Sequence, residues 1–200
     1  MPQDKVIQRD FYLREKVNVI ARELIGKILY TQDNKEITAG MIVETEAYCG
    51  ETDRASHAYP NKITRRNAIM FEKGGVAYVY FIYGMHYMFN IVTNGRGNPD
   101  AILVRALEPL TGLEIMMKRR NVLNPKRLTS GPGVLCKAMG IDMRQYGVQL
   151  DSQMLWLEHG QIFGIEDIKQ TTRIGVKYAG KDADLPWRFY LKGNPWISKP

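Results

Sequence analysis

Glu44 and Glu46 stand two residues apart at the end of an apolar run, and Tyr48 follows at the same interval. Alternate residues of an extended chain share a face. A strand here therefore presents two carboxylates and a phenol to one side, and Val43 and Thr45 to the other. Neighbouring carboxylates repel, which raises the proton affinity of at least one and suits it to accept a proton. Asp53 and His57 come next in a polar stretch. They are followed by Tyr78, Tyr80 and Tyr83, by Asn90, and by Arg105 directly after Ile102-Leu103-Val104. Together these residue types can grip a flat ring and activate a water beside it.

Each residue also has a plainer use. Two glutamates on a strand face are commonly solvated charges paired with Arg or Lys, a loop histidine is commonly a surface hydrogen-bonding group, and strand tyrosines commonly pack the sheet. Tyr83 resists the plain reading, because an aromatic at a hairpin tip has little core to join and can act as a wedge between base pairs. A buried Asn90 must satisfy its amide against backbone or a ligand edge. Arg105 needs a carboxylate or a ligand, and Glu46 can supply the former. A carboxylate pair about 7 Å apart also suits an inverting glycoside hydrolase, though a basic chain with three tryptophans is poorly equipped to stack sugars. A third possibility is a non-catalytic nucleic-acid-binding module with the same aromatics as a stacking platform. Ser130-Gly131-Pro132-Gly133, at a helix start, has free N–H groups suited to a phosphate.

The elements that must hold these residues follow from patterning. Val17, Ile20, Ala21 and Leu24 recur at helical spacing within residues 16–25, and Gly26 stops the helix. Residues 27–32 and 38–48 read as strands joined through Asp33-Asn34-Lys35. Residues 49–62 form a polar loop, and Thr64 caps a short helix over 65–71. Residues 76–82 and 88–93 form a hairpin with Tyr83-Gly84-Met85-His86 at its tip. Residues 101–106 are a strand. Thr111-Gly112-Leu113-Glu114 matches a capping box opening a helix to Arg120, and Pro132 opens another that Gly140 closes. Short strands are expected over 154–157, 161–165 and 173–176. No repeat or linker divides the chain. The expected fold is α+β: one compact domain over residues 1–200, with a curved, largely antiparallel β-sheet, short flanking helices and a protruding β-hairpin.

Composition narrows the setting. With 44% hydrophobic residues in 200, one sizeable core can be buried. The first five residues lack the charged-then-apolar layout of a secretory signal, and no apolar run is long enough to span a membrane. The expectation is a monomer with no membrane partner, cytoplasmic at the bacterial nucleoid or nuclear in a eukaryote, and not secreted. Cys49 and Cys136 lack a CxxC partner, and His57, His86 and His159 lack ligand spacing, so neither a metal nor a cofactor is expected. The excess of 28 Lys and Arg over 21 Asp and Glu gives +7, a field that attracts phosphate polymers. Lys118-Arg119-Arg120, Lys126-Arg127 and Arg144 concentrate it, and Arg65-Arg66 lies near the suspected site.

In order along the chain, Glu44-Thr45-Glu46-Ala47-Tyr48, Ala55-Ser56-His57, Thr64-Arg65-Arg66-Asn67, Met70-Phe71, Tyr78-Val79-Tyr80, Tyr83-Gly84-Met85 and Asn90 match one family. The match continues through Arg105-Ala106-Leu107-Glu108-Pro109-Leu110, Gly131-Pro132-Gly133, Arg173-Ile174-Gly175 and Pro186-Trp187-Arg188-Phe189-Tyr190. Over nearly its whole length the chain resembles the alkyladenine (3-methyladenine) DNA glycosylases of mammals and some bacteria. The resemblance implies a monofunctional enzyme that flips damaged purines from duplex DNA and hydrolyses the N-glycosidic bond, leaving an abasic site. The implied substrates are of the 3-methyladenine, 7-methylguanine, hypoxanthine and ethenoadenine class. It further implies Glu46 as general base, with Arg105 holding that carboxylate and its water. Tyr48, His57 and Tyr80 become pocket walls, and Tyr83, with Met85 beside it, the wedge. By the same resemblance, Asn90 is expected to discriminate against the exocyclic amine of guanine. The chain departs from the pattern at His86, where a tyrosine is expected. Pro2 can become an N-terminal amine, as in a different glycosylase family, but the rest of that pattern is absent.

Overall fold

The computed structural model describes residues 3–200, so Pro2 lies outside the described residues. Helix α1 (Val17–Glu23) leads into strands β1 (Ile28–Asp33) and β2 (Glu36–Tyr48), joined by a turn in which Asn34 adopts φ 55°. Strands β3 (Ala77–Ile82) and β4 (His86–Thr93) form the expected hairpin, and β5 (Asp100–Thr111) follows. Helices α2 (Leu113–Arg120) and α3 (Pro132–Met139) precede the short strands β6 (Leu155–Glu158), β7 (Ile168–Thr171) and β8 (Arg188–Leu191).

Among the described residues, eight strands join one antiparallel sheet in the order β3-β4-β5-β2-β1-β6, with β8 on β2 and β7 on β8. The thirteen-residue β2 is its spine. Its first half pairs with β1, its residues 44–46 pair with β8, and its other edge pairs with β5 along nearly its whole length. The α+β class, the curled antiparallel sheet and the flanking short helices are as expected.

The β2 alternation is as the sequence predicts. Val43 and Ala47 belong to the main core with Ile20, Ala21 and Leu24 of the α1 region, and the Thr45 hydroxyl donates to the Ala21 carbonyl at 2.8 Å. α3 adds Leu135, Cys136, Ala138 and Met139 to the same core, together with Phe89 of β4 and Val104 and Ala106 of β5. The opposite face of β2 carries Glu44, Glu46 and Tyr48 beneath the C-terminal segment.

Four local expectations need correction. Residues 161–165 and 173–176 form no strand; Ile162 and Ile165 instead lie in an exposed loop. The Thr111–Glu114 capping box is absent, because β5 runs on through Thr111 against Ala39 and the helix is capped by Gly112 in a left-handed conformation at φ 75°. A Cβ there would also lie 2.6 Å from the Ile37 carbonyl oxygen, which leaves glycine as the fitting residue. The helix expected over 65–71 is a turn around Thr64 and Asn67 followed by a 3-10 helix, Ala68–Phe71. β8 is a strand that sequence reading did not separate from the tail.

Candidate active site

The β2–β5 ladder is irregular where the site is built. Ile42 pairs with Leu107, Glu44 with Ala106 and Thr45 with Val104, which leaves Val43 and Arg105 without direct partners. Arg105 alternates with the core-facing Val104 and Ala106 and so projects from the opposite face, between the two glutamates. Its Nε donates to Glu44 Oε1 at 3.2 Å and its Nη1 to Glu46 Oε2 at 3.2 Å. Burial pulls the guanidinium pKa down, but the Glu46 and Glu44 carboxylates outweigh burial and raise it above its usual value.

Glu44 has a second arginine. Arg188 Nε donates to Glu44 Oε1 at 2.7 Å, Ser198 N to Oε2 at 2.6 Å and the Ser198 hydroxyl to Oε1 at 2.9 Å. The two carboxylates and two guanidiniums therefore balance within one buried cluster, the condition under which buried charge is tolerated.

Glu46 is fully buried. Its Oε2 accepts from the Tyr48 hydroxyl at 2.7 Å and from Arg105, and its Oε1 accepts from the Ile174 backbone N–H at 2.7 Å. A carboxylate offers about four lone-pair positions, so these three donors leave one. Burial above all, then the Glu46 charge, holds the Tyr48 pKa well above the ordinary phenol value, so Tyr48 is a neutral donor.

Above this carboxylate opens a cleft lined by Tyr48, Ser56, His57, Tyr78, Tyr80, Asn90 and Tyr178, with about 350 Å³ of empty space. That space includes the part open to bulk solvent, and the room within it for a water-sized sphere is about 50 Å³. Four sequence-predicted residues thus converge on one cleft: Tyr48, His57, Tyr80 and Asn90. Glu46 and Arg105 do not line it. They lie behind Tyr48, linked to the cleft through its hydroxyl.

The far wall is held by hydrogen bonds. His57 Nδ1 and the Tyr78 hydroxyl are 2.9 Å apart, the His57 and Tyr80 rings meet at 4.7 Å, and Arg66 lies 4.6 Å from the centroid of Tyr80. The Asn67 amide donates to the His57 and Lys62 carbonyls at 2.8 and 2.9 Å, which fixes the loop bearing His57. Burial, and then the Arg66 charge, depress the His57 pKa from 6.5 to about 4. The cleft leaves His57 open to solvent on one side, which moderates that depression. Burial raises the Tyr80 hydroxyl to about 12. The Asn90 amide donates to the Tyr78 carbonyl at 3.1 Å.

Tyr83 and Met85 sit apart from this group at the hairpin tip, 82% and 68% exposed. Tyr83 takes the left-handed conformation, φ 55°, and Gly84 follows at φ 67°. His86, the departure from the family pattern, packs against Gly133 at the start of α3, where a Cβ would come within 2.8 Å of its ring. The basic stretch expected to face a polyanion is partly occupied. Arg119 pairs with Glu36, Arg144 with Asp33 and Asp142, and Arg120 donates to the Leu128 carbonyl.

Sequence reading missed the C-terminal contribution. Residues 173–198 supply the Ile174 N–H, the Tyr178 ring at the cleft, Arg188, and Ser198. Arg173 stood in the matched text without a role, and only its charge between Thr172 and Ile174 marked it. Among the described residues no cluster of three His, Cys, Asp or Glu side chains is placed to hold a metal ion, and no helix is long and apolar enough to cross a membrane.

A model of the methylpurine-DNA glycosylase family matches residues 10–195. A protein of Clostridium botulinum (strain Alaska E43 / Type E3) is 43% identical over 203 residues, covering 97% of this chain and 99% of its own. One of Carboxydothermus hydrogenoformans is 45% identical over 195 residues, with the same coverage, 97% and 99%. One of Bacillus licheniformis is 39% identical over 198 residues, covering 99% of each. All three carry the provisional name 3-methyladenine DNA glycosylase. The chain belongs to the methylpurine-DNA glycosylase family and is a DNA glycosylase, a hydrolase of N-glycosyl bonds.

Proposed function

We propose that this member of the methylpurine-DNA glycosylase family acts as a monomer on duplex DNA, flips a damaged purine into the cleft and hydrolyses its glycosidic bond with a water activated by Glu46. The observation that carries the reading is the Glu46 carboxylate, buried and held by three donors directly behind a cleft walled by Tyr48, His57, Tyr80 and Asn90. A pure stacking platform has no use for a charge buried there.

In this reading Tyr83 fills the gap left in the duplex, with Met85 beside it, and the purine enters between Tyr48 and the His57–Tyr80 wall. Extrusion costs least where the base is damaged and poorly paired. His57, neutral at physiological pH, and the Asn90 amide meet the base edges without adding charge. As the C1′–N bond breaks, its electron pair stays with the base and the sugar becomes oxocarbenium-like. Glu46 stabilises that charge and takes a proton from the attacking water. The fourth lone-pair position of Glu46 receives this water when the base and its sugar are seated. Arg105 and the Ile174 N–H keep the carboxylate aimed. An alkylated purine already carries positive charge and leaves readily, so 3-methyladenine and 7-methylguanine are the primary substrates, with hypoxanthine and ethenoadenine as neutral ones.

The test is direct. Purified protein is incubated with duplexes that each carry one defined lesion, and alkali is then applied. The reading expects strand cleavage at alkylated or deaminated purines after alkali and none before it. Strands that stay intact after alkali contradict it.

A further inference from the structure

The Asp53–Arg173 pair lies outside every role assigned above. Both side chains are wholly buried, and neither lines the cleft. Arg173 Nη2 donates to Asp53 Oδ1 at 2.9 Å, and Nη1 donates to Asp53 Oδ2. The same guanidinium donates to the Ala47 and Asp182 carbonyls, each at 2.9 Å. Its Cζ is 4.8 Å from the centroid of Tyr48 and 5.4 Å from that of Trp187, while its Nε is buried without a hydrogen-bond partner. Tyr48 lines the cleft and Arg173 does not, so a base seated in the cleft meets the Tyr48 ring and not the guanidinium that lies over it.

We infer that Asp53 neutralises Arg173 behind Tyr48 so that the cleft can accept a positively charged purine, and that this pair sets the preference between cationic and neutral bases. The inference rests on the purine-excising reading of the cleft. An aromatic ring attracts a cation through its quadrupole. A guanidinium already on one face opposes a second cation on the other, and with no water between them the repulsion is weakly screened. Asp53 matches the arginine charge within hydrogen-bonding distance and relieves that opposition.

Neutral and cationic substrates would respond oppositely to an unmatched Arg173. A cationic purine and its sugar carry one full positive charge from binding to the transition state, and all of it is repelled. A neutral purine gains negative charge as the C1′–N electron pair moves onto it, and a bare guanidinium behind Tyr48 favours that. Asp53 and Arg173 thus act on specificity through Tyr48, as positioning residues, without touching the reacting atoms.

Asp53→Asn keeps an oxygen acceptor for Arg173 and removes only the charge. Duplexes carrying 7-methylguanine and hypoxanthine at the same position compete in one tube for wild type, for Asp53→Asn, and for the double variant Asp53→Asn/Arg173→Met. The ratio of the two second-order excision rates is independent of how much of each preparation is folded. Cationic-over-neutral preference is expected to fall by about fivefold or more in Asp53→Asn, and to return to within about twofold of wild type when Arg173 is also removed. An unchanged ratio in Asp53→Asn overturns the inference, as does a fall that the second substitution fails to reverse. Wild-type protein that releases neither lesion would instead overturn the purine-excision reading, so the two failures are distinguishable.

Discussion

The Tyr48 hydroxyl donates to Glu46 Oε2 at 2.7 Å, so the ring that walls the cleft and the carboxylate behind it form one unit. In the proposed reading, two positions on one strand face thereby couple binding to chemistry. A base stacked on Tyr48 lies against a ring whose polar end holds the proposed base catalyst.

Tyr48→Phe separates the two functions. The ring stays and the donor goes, which removes one hydrogen bond to a charged group and with it part of the aim of Glu46. Lesion binding should stay near wild type while the single-turnover rate falls about tenfold to a hundredfold. A variant that loses binding and keeps its rate would show that the hydroxyl serves the base and not the carboxylate.

Arg105→Met tests the buried ion cluster. It leaves Glu46 with two donors and Glu44 with Arg188 and Ser198, so two carboxylates share one guanidinium. Breaking a buried pair from one side costs about 3–5 kcal/mol. Urea unfolding should show a loss of that order beside a loss of activity, and unchanged stability would contradict the cluster.

The pH dependence carries a signature of His57. Its pKa is depressed from 6.5 to about 4 in the folded protein. As pH falls below 6.5 the unfolded chain takes up a proton that the folded protein refuses until about pH 4, so His57 makes stability decline across that window and contributes nothing above it. Because the ring is open to solvent on one side, the effect is small. His57→Gln should show a shallower fall in melting temperature between pH 7 and pH 4.5 than wild type. A steeper fall would show that His57 gains a proton on folding.

Tyr83→Ala should leave stability within about 0.5 kcal/mol, as for a surface substitution, because the side chain is 82% exposed and has little core to lose. Lesion binding should weaken while the rate at saturating enzyme changes less. Unchanged lesion affinity would mean that the tyrosine inserts into nothing.

The parts of this molecule that were legible in the sequence are those governed by strand period. Glu44, Glu46 and Tyr48 share a face because side chains alternate, and residues 76–93 announce their hairpin through β-branched and aromatic runs around Tyr83-Gly84. The Thr111–Glu114 motif misled because local capping chemistry competed with a longer β5, and the ladder partner at Ala39 won. Residues 161–165 carry strand-forming isoleucines but stay in a loop with both Ile162 and Ile165 exposed. That Arg105 meets both Glu44 and Glu46 depends on the pairing register of strands about 60 residues apart in sequence, which local pattern does not fix. Arg173, Arg188 and Ser198 reach the site from a tail without periodicity, so only the assembled fold brings them to Glu44, Glu46 and Tyr48.

In the proposed mechanism Glu46 activates the attacking water. Single-turnover excision of a neutral purine, hypoxanthine, by Glu46→Gln measures it most directly, because a neutral base leaves slowly without help. DNA binding should persist while the rate falls by roughly 10²–10⁴, the contribution of a general base. Excision at or near the wild-type rate would contradict that mechanism.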